Sequence, residues 1–581
     1  MDDHCLDLVV VGAGWNGLCM ARTYHEAFPD AEIKVLDCAD SVGGCWANEH
    51  VYDGLRTNNL LGSYEFSDFP MTTELTGARP EEHISGHGVH RYFSAAVRYF
   101  DLEQFLNLGC KVESARLHDD GRWCLKVVRG PSTVASTIFT KKLVMATGLT
   151  SEPSMPSFVG QDLFTGAILH SKELKRLDDR LARSKKVVVV GANKSAFDVC
   201  YGVAQRSGEA HMLIRPSRGG PSWVWPRRIR FAGFRTSLSK LSLTRVWSIF
   251  DPWPFGEMSS VRRTLRRILH SSTLGRCLTT AFWIVLGNCA RRHNRYSSHK
   301  GTALLEPWSS TYWMGNSLSI NNYPNDWFDH ARAGNVVVHH AEVTSVCERD
   351  VMTTEGTLQD VDAIVCCTGW KHLPSIRFEP SISEISGSIA AHEIDFIMAA
   401  RGQILQDTPA LRYRARDLPL LNSDKSAQID DVDATYRLYR GLVPRQPSSM
   451  LARNLAFIGL DFSLHTVLLA QAQALWITAF FSDRIDHLQD DNVDYDRVAR
   501  EAILLSEYEK LRRPSSAGGS GEKFPDLVFD SLPYVGLLLN DLGLKPQRKQ
   551  TWFQELFSAY SLQDYRGLVE EWKLRLQRKG S

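Results

Sequence analysis

The sequence predicts an α/β protein with two doubly wound parallel sheets, and three observations support this prediction. An apolar stretch at 6–11 has the pattern of a strand buried on both faces, and a glycine-rich turn, a helical stretch and a second apolar stretch at 33–36 follow it. The same order returns at 187–214. Two further apolar strands end in small residues, at 143–148 and 361–370. Parallel strands joined through helices build sheets of this class.

The first turn has glycines at G-x-G-x-x-G spacing. Gly12 permits a tight turn, Gly14 lets the backbone approach a pyrophosphate at a helix N-terminus, and Gly17 permits close helix–strand packing. Asp37 follows the second strand, where its carboxylate can accept hydrogen bonds from ribose hydroxyls. Because this unit opens the chain, as in many large flavoproteins, we interpret it as an FAD site.

The second turn is a degenerate copy of the first. Gly191 opens it, Asn193 replaces the middle glycine, and Ser195 is placed to bind a pyrophosphate. Asn tolerates positive φ better than most residues, so we expect the turn to survive. Arg215, with Arg218 nearby, stands where the first unit has its acid, and a cation there suits the 2′-phosphate of NADPH. A structural repeat without a ligand is the alternative.

Composition excludes several classes of protein. The chain has 581 residues, enough for two or three domains, and its formal net charge of +1 argues against a nucleic-acid partner. The 12 cysteines include no CxxC pair and no Cys/His cluster at metal spacing, so no metal site is predicted. They are typical of reduced thiols, and we expect a cytoplasmic protein. No apolar stretch approaches the roughly 20 residues that span a bilayer.

The motifs predict two Rossmann-like domains, the second inserted in the first. A Trp- and Arg-rich segment at 221–295 is predicted to be a mainly helical insertion that packs over the active site; contact with a membrane surface is possible but not favoured. A Ser/Gly-rich linker is predicted at 515–521, and 371–450 has no interpretable motif. The predicted parts are 1–160 (FAD domain, first part), 161–334 (NADPH domain), 335–490 (FAD domain, second part) and 491–581 (C-terminal cap).

Several of these motifs resemble those of the class B flavin-containing monooxygenases. Residues 12–17 are similar to that family's FAD loop, and the Gly-Gly-Cys-Trp sequence at 43–46 to its GGTW element. Thr57-Asn58, followed by 66–70, resembles the segment that carries an active-site Asn before a DFP stretch. Residues 164–170 match the start of the FxGxxxHxxx(F/Y/W) signature, although Leu174 stands at the aromatic position. The insertion and cap resemble those of flavin monooxygenases from fungal secondary metabolism.

The resemblance implies a set of site residues. Asn58 would act beside the flavin, and Asp461 would bring a helix N-terminus toward the flavin pyrimidine. His170 would brace the connection between the domains. The residues implied to contact a cofactor are Gly12, Gly14, Gly17, Asp37, Gly44, Trp46, Thr57, Thr147, Gly148, Gly191, Ser195, Arg215, Thr368, Gly369 and Asp461.

The resemblance also implies a reaction. NADPH would reduce FAD, the reduced flavin would capture O2 as a C4a-(hydro)peroxide, and one oxygen atom would pass to a small organic substrate of secondary-metabolite biosynthesis. Two alternatives stay open. One is a Baeyer–Villiger oxygenase acting on a ketone, which Leu174 disfavours, and the other is a non-catalytic flavin- or nucleotide-binding module. A disulfide reductase is disfavoured because the sequence has no CxxC pair.

Overall fold

Two parallel five-stranded sheets organise the chain. The computed structural model describes residues 4–130, 134–177, 183–217, 219–231, 233–255, 260–315, 317–372, 375–386, 393–412, 437–489 and 493–580. The ten strands of the two sheets are, in chain order, β1 (Leu8–Val11), β2 (Ile33–Leu36), β3 (Leu106–Asn107), β4 (Leu143–Met145), β5 (Ala167–His170), β6 (Lys186–Val190), β7 (Glu209–Leu213), β8 (Val336–His339), β9 (Ala363–Cys366) and β10 (Leu455–Phe457).

The strand order of each sheet is that of a doubly wound fold. The first sheet runs β10-β4-β1-β2-β3 and the second β5-β9-β6-β7-β8, with every neighbouring pair parallel. In the first sheet Val10 lies between Val144 and Val35. Both faces of such a sheet are covered, which explains why the strands are continuous apolar runs. The predicted fold class is confirmed.

Smaller sheets surround these two. A mixed five-stranded sheet contains Cys5–Leu6, Ala135–Thr140, Trp123–Arg129, Cys110–Leu117 and Arg377–Glu379, and a three-stranded sheet contains Val343–Cys347, Asp350–Thr353 and Gly356–Leu358. Two-stranded pairs join Arg56–Leu60 to His83–Ser85, Trp223–Pro226 to Leu318–Asn321, and Ile229–Phe231 to Phe234–Thr236. The single strand predicted at 6–11 is therefore wrong, because this stretch divides between two sheets.

The helices lie between and around the sheets, and the face of the first parallel sheet that they leave uncovered packs against the mixed five-stranded sheet. They are α1 (Trp15–Ala27), α2 (Thr73–Thr76), α3 (Gly86–Tyr99), α4 (Lys194–Gln205), α5 (Leu238–Ser242), α6 (Ser260–Ser271), α7 (Thr273–Asn294), α8 (Lys300–Ala303), α9 (Trp327–Arg332), α10 (Ile382–Ser386), α11 (Glu393–Asp407), α12 (Pro447–Ala452), α13 (Thr466–Phe481), α14 (Tyr495–Arg512), α15 (Ser531–Asp541), α16 (Trp552–Phe557) and α17 (Leu568–Gly580). None of the described helices combines the length and the apolar composition needed to cross a bilayer.

Helix α13 lies at the centre of the largest core. Nearly all its residues are buried, and it packs against α1 and α15. A helix that is apolar on every side requires such surroundings.

The two chain crossings between the sheets form one antiparallel ribbon. Glu152–Pro153 pairs with Trp370–Lys371, and the Ser154 amide donates to the Gly369 carbonyl at 3.0 Å. Strands β8 and β9 lie in the second sheet, whereas the boundary predicted at 334/335 assigns them to the first domain. We propose instead that the second domain extends to about residue 370, and the other boundaries stay predictions.

The insertion and the C-terminal segment pack together. The insertion begins with short strands, not helices, and α6 and α7 follow them. Its Arg245 forms a buried ion pair with Glu555 of α16, and the Tyr560 hydroxyl donates to the same carboxylate at 2.6 Å. Residues 515–521, predicted to be a linker, instead pack tightly: a Cβ at Gly521 would lie 2.0 Å from the Glu509 carbonyl oxygen.

Candidate active site

The first glycine-rich loop has no room for side chains at two of its glycines. Gly12 has φ +119°, and a Cβ there would lie 2.3 Å from the Ala146 carbonyl oxygen. A Cβ at Gly17 would lie 1.8 Å from the Gly12 carbonyl oxygen. Gly12 therefore permits the tight turn, and Gly17 permits the close packing of α1 against that turn. These are the roles that the first and third glycines have in a G-x-G-x-x-G sequence.

Gly14 differs from its two neighbours in the fingerprint. A Cβ there would meet nothing closer than the Gly44 Cα at 3.5 Å, an ordinary contact. It is the N-cap of α1, it makes no side-chain cap, and the first turn of α1 has no acidic residue. The turn thus presents uncapped N–H groups, which suit the pyrophosphate of FAD.

Asp37 fixes the loop beside this helix end. Its carboxylate accepts hydrogen bonds from the amides of Ala13 at 2.6 Å and Ala39 at 2.8 Å. Burial raises the pKa of Asp37, although the two amides oppose that rise. A carboxylate oriented at the end of β2 is where a ribose hydroxyl would donate.

The Gly43-Gly44 turn folds back onto the first loop. The Gly43 amide donates to the Ala13 carbonyl at 2.9 Å, and both glycines have positive φ. Trp46 follows in a short 3₁₀ turn, Gly44–Trp46, and its indole N–H donates to the Tyr64 hydroxyl at 3.0 Å. The structure therefore brings Gly44 against Gly14 of the first loop, and a contact of Gly44 and Trp46 with FAD stays a prediction.

The second glycine-rich loop also joins a strand to a helix through a tight turn, although Asn193 replaces its middle glycine. Gly191 has φ +146°, and a Cβ there would lie 2.5 Å from the Cys367 carbonyl oxygen. Asn193 is the N-cap of α4 with φ −106°, so the turn survives, as expected, but without the positive φ that Asn tolerates. Its side chain does not cap the helix, and α4 has no acidic residue in its first turn, which contains Ser195. This helix end also suits a pyrophosphate.

Arg215 lies one residue beyond Ile214 at the carboxyl end of β7, and its side chain is exposed. In this fold, a side chain at this position contacts the ribose of a nucleotide that binds at the N-terminus of α4. The neighbouring Arg218 lies outside the described residues.

Arg215→Ala is expected to lower the affinity for NADPH and leave that for NADH almost unchanged. A charge-assisted hydrogen bond to the 2′-phosphate contributes roughly 1.5–3 kcal/mol, or about ten- to a hundredfold. The measurement is the ratio of KM for the two nucleotides. Arg98→Ala, an exposed change on α3, is the control, and an equal loss for both nucleotides would contradict the role given to Arg215.

Asn58 lies on the strand Arg56–Leu60, whose other residues are firmly held. The Thr57 hydroxyl donates to the Asn59 carbonyl at 2.7 Å, and the Asn59 amide group donates to the Leu464 carbonyl at 2.8 Å, just before α13. Among the described residues, the Asn58 side-chain oxygen is buried and accepts no hydrogen bond. A buried acceptor without a partner costs free energy, so it indicates a ligand at this point.

A second side chain that holds this strand could not be predicted from the sequence. Asn322, which follows the strand Leu318–Asn321, donates to the carbonyls of Arg56 at 3.2 Å and Thr57 at 3.1 Å. Asn322 is buried, and more than 260 positions in the sequence separate it from Thr57. It connects the insertion side of the second domain directly to the strand that carries Asn58.

Two polar side chains beside this strand were also missed. Both ring nitrogens of the buried His83, and Nε of Arg227, lack a partner with hydrogen-bond geometry among the described residues. Burial, together with the Arg227 charge, lowers the pKa of His83 to about 4, so its ring is neutral at pH 7. Arg227 follows a buried Trp-Val-Trp-Pro strand, whose pattern could have suggested a side chain fixed by a rigid support.

Asp461 lies near the N-terminus of α13. Its carboxylate accepts a hydrogen bond from the Gln473 amide at 2.7 Å, and burial raises the pKa of Asp461 to about 6. Gly459 has φ +72°, and a Cβ there would lie 1.9 Å from the Asn16 amide nitrogen in the first turn of α1. The structure thus brings the 459–461 turn against the FAD loop.

The two Thr-Gly turns meet at the ribbon between the sheets. Thr147 accepts a hydrogen bond from the Ser151 hydroxyl, and the Thr368 hydroxyl donates to the Ser154 carbonyl at 2.6 Å. Gly148 and Gly369 have positive φ. These four residues shape the crossings, and Gly148 has open space around it.

His170 and Leu174 hold the second domain near this ribbon. The His170 ring lies 3.0 Å from the Gly369 carbonyl and accepts from the Lys172 amide at 3.1 Å, so both nitrogens have structural partners. Leu174 is buried in the core of the second domain. No described contact of either residue suggests proton transfer.

The sequence has full-length relatives. The model of the pyridine nucleotide-disulphide oxidoreductase family matches residues 9–226, which contain both glycine-rich loops. An FAD-dependent monooxygenase of Aspergillus nomiae is 30% identical, with 97% of this chain and 98% of the relative covered. One of Pyrenophora dematioidea is 31% identical over 94% of this chain and all of the relative.

The chain belongs to the FAD-dependent monooxygenases.

The fold of this monooxygenase is also that of a solved structure. Cyclohexanone monooxygenase with its substrate, in a rotated conformation, superposes with a TM-score of 0.57 at 16% identity, covering 93% of this chain and 97% of that one. The family membership confirms the resemblance found in the sequence, and the loop around Gly12 fits the FAD that the names of both relatives give.

Proposed function

We propose that this monooxygenase uses NADPH and O2 to insert one oxygen atom into a small organic substrate of secondary-metabolite biosynthesis, at a site next to Asn58. FAD bound to the first loop supplies the chemistry that activates O2 after reduction by NADPH. The observation that carries the proposal is the buried Asn58 side-chain oxygen, which has no hydrogen-bond partner in the described part of the chain and lies on a strand fixed from both domains.

The residues around Asn58 provide orientation and exclude water. Thr57, Asn59 and Asn322 fix the strand, so the carboxamide is held in place before any ligand arrives. Preorganised polar groups in a dry site act more strongly than the same groups in water. A neutral His83 and the charged Arg227 place a hydrogen-bonding ring and a cation nearby. We propose that these side chains contact the nucleotide or the substrate.

The test is a panel of amines, sulfides, phenolics and ketones incubated with holoenzyme, NADPH and isotopically labelled O2. Mass spectrometry should detect one labelled oxygen atom in a product formed in proportion to NADPH consumed. An ester or lactone from a ketone would instead establish the Baeyer–Villiger alternative. NADPH consumption without label in any product, even with an extended panel, would contradict the proposal.

Asn58→Ala is expected to uncouple the reaction without blocking FAD reduction. A neutral hydrogen bond contributes on the order of 1 kcal/mol, and more in a dry site, so the fraction of NADPH that yields hydrogen peroxide should rise about fivefold. Peroxide formed and NADPH consumed are measured together. Asn335→Ala, an exposed change, is the control, and an unchanged peroxide fraction in Asn58→Ala would remove Asn58 from the site.

A further inference from the structure

Helix α7 of the insertion has two apolar faces. Its inner face packs into the protein through Trp283, Leu286 and Ala290, all buried. Six outward positions at helical spacing are exposed and apolar, and we name them the outer stripe: Leu274, Cys277, Leu278, Ala281, Ile284 and Val285. At 3.6 residues per turn they span an arc of roughly 120° over about 17 Å.

The exposure of the outer stripe is large. Leu274 is 74% exposed, and Leu278, Ile284 and Val285 are between 52% and 54% exposed. An exposed helix face on a globular protein is normally polar. A contiguous apolar stripe indicates a surface that contacts something apolar.

Cations flank the outer stripe. Arg292 continues its line at the C-terminal end of α7, and Arg295 and Lys300 follow in the sequence. All three are exposed. In the sequence, 258–305 contains nine Arg or Lys residues and no Asp or Glu. Because the whole chain has a formal net charge of +1, all other residues together carry −8.

We propose that the outer stripe and its flanking cations form a docking surface for an anionic lipid membrane. Apolar side chains on a helix fixed parallel to the protein surface can enter the interfacial region, while Arg and Lys at its C-terminal end meet lipid phosphates. A second copy of the chain is disfavoured as the partner, because two such surfaces would bring like charges together. On a membrane, this surface would give the enzyme access to apolar substrates dissolved there.

The test is flotation of the flavin-loaded, full-length enzyme with vesicles of phosphatidylcholine, with or without phosphatidylserine. The enzyme should float with the phosphatidylserine vesicles, and less so at high salt, because salt screens the cations. The double variant Ile284→Asn/Val285→Asn should lose about tenfold or more of its vesicle partitioning. Arg292→Glu/Arg295→Glu should lose the preference for phosphatidylserine.

Leu451→Asn is the matched control, because Leu451 is 51% exposed but lies on α12, outside the stripe. Retained flavin and an unchanged melting temperature establish that each variant is folded. No flotation of the unmodified enzyme, equal flotation of the stripe variant and the Leu451 control, or equal binding to both kinds of vesicle would overturn the proposal. A dimer by light scattering that Ile284→Asn/Val285→Asn abolishes would assign the stripe to a second copy instead.

Discussion

Gly14→Ala is expected to remove most of the FAD from a protein that still folds. The protein itself leaves room for the methyl group, since the closest atom to a Cβ would be the Gly44 Cα at 3.5 Å. The methyl group would, however, occupy the space where the helix N-terminus receives a pyrophosphate. Overpacking costs about 1–3 kcal/mol, or roughly five- to a hundredfold in FAD affinity.

The measurement is flavin content after desalting, together with an FAD titration of the apoprotein. Gly402→Ala is the control, because a Cβ at that position on α11 meets nothing within 4 Å. The circular dichroism spectrum of Gly14→Ala should match that of the unmodified apoprotein. Full flavin content in Gly14→Ala would show that the cofactor does not approach this backbone.

Asp251→Ala is expected to lower the free energy of unfolding by about 3–5 kcal/mol, because it leaves two buried cations without their anion. Asp251 contacts Arg512 at 2.8 Å and Arg513 at 3.3 Å, and all three side chains are fully buried. Burial alone would raise the pKa of Asp251, but the two guanidinium groups hold it below its usual value. The ion pairs join the insertion to the end of α14.

Thermal and urea unfolding of the holoenzyme measure this loss. The control is Asp496→Ala, whose carboxylate is exposed and lies 3.9 Å from Arg500; a surface pair of this kind contributes at most about 1 kcal/mol. Asp251→Leu would fill the space of the carboxylate but would also leave both guanidinium groups without their anion. This variant should therefore be as unstable as Asp251→Ala. Similar melting temperatures for Asp251→Ala and Asp496→Ala would contradict the role of the buried cluster.

Both nucleotide loops could be predicted from the sequence because their signals are local. Gly12, Gly17 and Asp37 act within one strand–helix–strand unit, and their spacing fixes their geometry. Asn322 gave no such signal, because it reaches the strand that carries Asn58 only through tertiary packing.

Some residue types serve two purposes, and the sequence does not show which of them applies. The glycines at 515–521 suggested a linker, but in the structure Gly519 and Gly521 permit close backbone contacts at the C-terminal end of α14. Asn193 tolerates positive φ, but in the structure it is an extended N-cap. Within 6–11, the chain passes from one sheet to another at Asp7. The Asp7 carboxylate accepts a hydrogen bond from the Glu32 amide at 2.9 Å.

The ribbon that joins the two sheets has a consequence for the order of folding. Strand β10 pairs with β4, although the entire second sheet is synthesised between them. Closing so long a loop in an unfolded chain carries a larger entropic cost than closing a short one. Because Ser154 and Gly369 are hydrogen-bonded neighbours, the second domain, once folded, shortens that loop to the segments outside it. The second domain should therefore gain protection from hydrogen exchange before β10 docks and completes the first sheet.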